Sequence, residues 1–164
     1  MPYRNSTYRS PLFRRYREIP PKAYQSLLRF FREHEQEIAC LELEERFELL
    51  FAYAEALFGV GAYGEHLERV EEIIELAFRH NIEEHQGRDV LQHCLLRKAA
   101  SCFHLHQLER SEYVLRELLR INPHHPTAPY LLERCLRRRR ARRLLGLKAY
   151  ALAFFFLSGV ASLL

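Results

Sequence analysis

The chain has 164 residues, 48% of them hydrophobic, with only six glycines and seven prolines. That balance excludes a disordered or collagen-like polymer and suits one packed domain. The formal net charge of +4 conceals a partition: eight bases and one acid over 1–32, ten and twenty over 33–134, seven and none over 135–164. An acidic body therefore stands between two basic ends.

Residues 1–20 form a basic arm. It carries Pro2, Pro11 and Pro20 with five arginines, and has no apolar run of the kind a secretory signal needs. Within it, 3–17 interleave Tyr3, Tyr8, Phe13 and Tyr16 with those arginines. Two fates are open to such an arm: folding back into a groove of the helical domain in competition with a partner, or remaining disordered or lying on a membrane. A helical domain follows over 21–136. The stretch 22–36 puts Tyr24, Leu27, Leu28 and Phe31 on one face, three and four residues apart, after a Pro20-Pro21 start. Further helices are predicted over 42–59, 63–82, 89–106, 109–121 and 127–143. Gly61, Gln86-Gly87 and Asn122-Pro123 separate them. No window alternates with period two, so no sheet is expected.

A search for chemistry along these helices finds little. Cys40, Cys94, Cys102 and Cys135 form no CxxC pair and read as free, buried thiols of a reducing compartment. Cys102 and His106 stand four apart, with His93 and Cys94 upstream, yet a closed zinc site needs four converging ligands. The carboxylates at Glu71, Glu72 and Glu75 read as a solvated helix face, and no serine sits in a nucleophile elbow. Gly59, Gly61 and Gly64 lack the preceding strand and the Lys-Ser/Thr ending of a phosphate loop. Neither catalytic residues, nor a metal, nor a cofactor is expected, and the chain does not read as an enzyme.

Two consecutive helix pairs resemble the tetratricopeptide family. In the second pair, 92–125, Leu95 fills the first large apolar slot. Ala99 and Ser111 fill the small crossing positions of its two helices. Leu115 and Leu118 follow at core spacing, and residues 121–125 resemble the family's closing turn. The first pair, 47–80, carries Leu50, Tyr53, Ala54 and Leu57, then Gly61-Ala62-Tyr63, similar to the family's Gly-x-Tyr turn. It departs at His66, where a small residue is expected, and lacks a closing proline. Anchored on their turns, the pairs are 45 residues apart rather than 34, an insertion of 11. Glu133 occupies the next crossing position, so 127–143 reads as a capping helix. The resemblance implies stacked antiparallel helix pairs with a concave face lined by the first helix of each pair. Its groove positions would be Glu48, Phe51, Glu55 and Phe58, then His93, Leu96, Ala100, Phe103 and His104. The basic residues with which one branch of the family grips chaperone tails are absent at the matching Phe51, Glu55, Leu96 and Ala100. The implied groove is apolar with acidic edges, suited to a basic, aromatic-bearing peptide.

Residues 137–143 hold Arg137, Arg138, Arg139, Arg140, Arg142 and Arg143, and 144–164 follow with Lys148 as their only charge. At ~1.5 Å per residue that run reaches ~31 Å, the thickness of a bilayer core. The expectation is a polybasic flank held in the cytoplasm beside anionic headgroups, then a transmembrane helix with small-xxx-small pairs suited to homodimerisation. The sequence thus predicts an all-α, tetratricopeptide-like superhelix followed by a transmembrane helix. It would be a single-pass, tail-anchored membrane adaptor binding a partner protein or peptide. The alternatives are a cytoplasmic domain of a larger membrane protein, such as a transporter or sensor, or a basic nucleic-acid binder. Nucleic acid is not the expected partner.

Overall fold

The three-and-four spacing of apolar residues is realised as helix almost throughout. A computed structural model describes the backbone of residues 10–161 and the side chains of 10–145. Its helices are α1 (Pro11–Arg17), α2 (Tyr24–Glu33), α3 (Glu35–Ala39), α4 (Leu43–Val60), α5 (Tyr63–His80), α6 (Val90–His104), α7 (Leu108–Ile121) and α8 (Ala128–Ala161). Each long helix packs against the next, in the order α4, α5, α6, α7, α8, with α2 laid on α4. The all-α expectation holds apart from one small ladder, β1 (Glu84–His85) with β2 (Arg88–Asp89), antiparallel, with Glu84 opposite Asp89. Gln86 and Gly87 turn it, both at positive φ, as a two-residue hairpin demands.

The first pair is α4 and α5, and the second is α6 and α7. Both turn on one residue in the left-handed conformation, Gly61 at φ 83° and His106 at φ 59°, which reproduces the 45-residue spacing. In each, a backbone N–H just past the turn reaches back across it, Ala62 to the Leu57 carbonyl and Gln107 to the Cys102 carbonyl, both at 2.9 Å. The extra length of the first pair goes into the longer α5 and the hairpin after it. Glycine adopts this conformation without penalty, whereas a Cβ is strained there. Gly61→Ala should therefore cost about 1 kcal/mol, and His106→Gly should gain a similar amount. Urea denaturation of the two variants checks both signs.

At the crossing of α6 and α7, Ala99 and Ser111 are fully buried, and Ser111 Oγ donates to the Ala99 carbonyl at 2.9 Å. Small side chains here let two backbones approach, and the hydroxyl has a partner in a place water does not reach. The main core joins Leu27, Phe31, Leu50, Tyr53, Leu57 and Ile73, with Phe31 stacked on Tyr53 at 3.9 Å between centroids. A second cluster holds Leu115 and Leu118 against Ala128 at the start of α8.

Two expectations need correction. The arm is partly a helix: Ser10 caps α1, with Pro11 at its first position, and Leu12 and Phe13 are buried in the main core. The Ser10 hydroxyl and amide both bond the Glu45 carboxylate, at 2.6 and 2.9 Å. Residues 1–9 lie outside the described part.

The transmembrane helix is overturned. Among the described residues no helix is long and apolar enough to cross a membrane. The apolar run expected to span, 144–164, is not a separate element, because α8 continues into it from Ala128 to Ala161, 34 residues in one helix. That helix is committed at its start to packing on α7, with Ala128 and Cys135 fully buried, and carries the arginines through its middle. Residues 162–164, and the side chains beyond Leu145, lie outside the description.

Candidate functional site

The groove positions lie on α4 and α6, which present one shared face because α5 packs behind both. Across that face Glu55 is the hub. Its Oε1 accepts from His93 Nε2 at 2.9 Å and from Arg97 Nε at 3.0 Å, and its Oε2 accepts from an Arg97 terminal nitrogen at 2.7 Å. Burial alone would raise this carboxyl, but the His93 hydrogen bond and the Arg97 charge outweigh it and hold it at about 2. The Arg97 guanidinium in turn lies over Phe58, 4.3 Å from the ring centroid.

Rings extend this lattice in both directions. Towards the start of α4, Phe51 meets His93 at 5.2 Å and His85 of the hairpin at 4.8 Å. Towards its end, Phe58 meets Tyr63 at 5.5 Å, and Tyr63 is stacked on His104 at 4.5 Å with an interplanar angle of 7°. Leu96 and Ala100 on α6 are half-buried. The nine groove positions do not behave alike, however. Phe51 and Phe103 are 7% and 3% exposed, core residues in all but register. Glu48 is bonded by Arg17 of α1 at 3.4 Å, so the folded arm already engages one end of the face.

The charge of the face also differs from expectation. Its two acids are answered from within the chain, Glu48 by Arg17 and Glu55 by His93 and Arg97. Acidic edges are therefore not free to receive a basic peptide. At the other end stand cations. Arg134 and Arg138 of α8 lie over the Phe103 ring at 5.4 and 4.6 Å.

The six arginines expected to flank a membrane are divided in use. Arg137 pairs with Glu133, and Arg139 with Glu109 and Glu112. Arg142 reaches the His106 carbonyl at 3.5 Å. Arg138 stacks on Phe103, and Arg140 and Arg143 are exposed without an ion pair among the described residues.

His66, the departure from the family pattern, is fully buried at the α4–α5 crossing. Its Nδ1 is 2.8 Å from Ser101 Oγ on α6, and its Nε2 has no hydrogen-bond partner. Burial pushes its pKa down to about 4. A cavity of about 10 Å³, the size of one water, adjoins it between Glu55, His93 and Arg97. Among the described residues no group of three His, Cys, Asp or Glu side chains is placed to hold a metal ion. The thiols fall into two classes: Cys94, Cys102 and Cys135 are buried, with the Cys94 thiol pushed up to about 12, while Cys40 is exposed.

Sequence reasoning missed a larger hollow of about 280 Å³ where α5 ends and α6 begins, lined by Ile74, Ala77, Phe78, Ile82 and Leu91. Phe78, 68% exposed, was the available signal, an aromatic at the end of an otherwise charged turn. Neither the protein-family models nor the curated proteins contain a match to this chain.

Proposed function

We propose that the chain is a non-catalytic interaction module that binds a segment of another protein along the face shared by α4 and α6, in the manner of tetratricopeptide pairs. The observation that carries the reading is the lattice of Glu55, Phe58, His93 and Arg97, backed by the buried ring of Phe51. It spans two helices that are neighbours only through folding, and it fixes side chains on an accessible face before any ligand arrives. A rigid face of rings and oriented charges lowers the ordering cost of binding an extended segment. The small residues at the helix crossing support the family likeness independently.

The test uses peptides selected from a displayed library on the immobilised full chain, with binding sites mapped by amide chemical shifts. Shifts should cluster at Phe58, His93, Arg97 and Ala100, and Phe58→Ala should weaken binding at least tenfold by removing the ring and loosening Arg97. Shifts confined to α5 and α7, or unchanged affinity of Phe58→Ala, would defeat the reading.

A further inference from the structure

Arginines cluster where α8 passes the end of α6, and most acids nearby are already engaged. Arg139 takes Glu109 and Glu112, Arg137 takes Glu133, and Arg97 takes Glu55. Arg134 and Arg138, both exposed, have no ion pair among the described residues. Neither 1–9 nor 146–164 contains an Asp or Glu. The C-terminal end of α6 contributes only a partial negative charge. Positive potential is therefore left over at this corner, and His104 registers it: burial lowers its pKa first, and Arg138 and Arg134 lower it further.

We infer that the partner segment is acidic, and that Arg134 and Arg138, which lie over the Phe103 ring beside His104, receive its carboxylates. The inference rests on the peptide-binding reading above and assigns the chemistry of the partner. Four residues along α8 separate the two guanidinium stems by ~6 Å. Carboxylates two residues apart on an extended strand are ~6.7 Å apart, so alternating acids match the pair. Planar guanidinium groups receive carboxylates two bonds at a time. Residues between the acids would lie towards Phe58 and the Tyr63–His104 stack. A long polyanion fits worse, because the body over 33–134 carries twenty acids against ten bases and repels it.

The experiment compares two labelled peptides by fluorescence anisotropy on the full chain at physiological salt. One alternates Glu with Leu and Phe, and its twin carries Lys in place of Glu. The acidic peptide should bind at least tenfold more tightly than its twin. Arg134→Gln with Arg138→Gln, which keeps much of each stem over Phe103, should lose at least tenfold. Arg140→Gln with Arg143→Gln should change affinity less than twofold, and circular dichroism should show all variants folded.

Equal binding of the two peptides, an indifferent Arg134/Arg138 variant, or tighter binding by a DNA duplex or by phosphatidylserine vesicles would overturn the inference. If the acidic peptide fails while library peptides still map to α4 and α6, the partner's charge class falls and the module stands. If both fail, both fall.

Discussion

Acidification from about pH 6.5 to about pH 4 should cost the native state up to about 3 kcal/mol through His66 alone. The imidazole is fully buried, its Nε2 has no hydrogen-bond partner, and its pKa is pushed down to about 4. Between the two values the unfolded chain binds a proton that the native chain refuses, so stability rises with pH across that window and falls as acid is added. Above it the ring is neutral in both states and contributes no slope. His85 and His104 are shifted in the same direction by burial, so the full chain's slope contains their share. His66→Leu isolates the contribution of the one ring. Urea midpoints at pH 7 and pH 4.5 should fall steeply for the native sequence and less for His66→Leu, so the gap between them closes or reverses in acid. Parallel curves would remove His66 as the cause.

Ala99→Leu should destabilise by about 3 kcal/mol, while Ala100→Leu, one residue further on, should stay within about 0.5 kcal/mol. Ala99 is fully buried where α6 crosses α7, and its carbonyl receives the Ser111 hydroxyl at 2.9 Å. A leucine there drives the backbones apart and breaks that bond. Ala100 is half-buried on the face shared with α4, where a larger side chain finds space. The two variants also separate structure from binding. The first should lower the melting temperature, and the second should alter peptide affinity with the melting temperature unchanged. Equal losses would mean that α6 is packed on all sides and has no face to offer a partner.

Local chemistry made the helices legible and long-range chemistry stayed hidden. The segments expected over 42–59 and 109–121 match α4 and α7 to within a residue, because Gly61 and Asn122-Pro123 stop helices by backbone geometry alone. The α1 helix was missed although its signal was present: a serine followed by proline is a cap and a first turn. The arginines around it drew attention to charge instead. A ladder of two residues per strand is too short to show a period. At Arg137–Arg143 a composition shift suggested a boundary, yet helices end at unsatisfied backbone or at glycine and proline, not at a change from charged to apolar. The charge of the candidate face was misjudged for a related reason. Glu48 and Glu55 are visible in the sequence, but their partners Arg17 and Arg97 lie 31 and 42 residues away. Only folding brings them together.

Because α8 runs unbroken from Ala128 to Ala161, the azimuth of its distal portion is tied to the face that holds the domain. Each residue added between them would rotate that portion by about 100° and advance it about 1.5 Å. One inserted alanine after Arg143 would re-aim whatever the distal portion touches, while a full seven-residue insertion would nearly restore the original phase. The helix thus couples its distal backbone to the domain by angle as well as by distance.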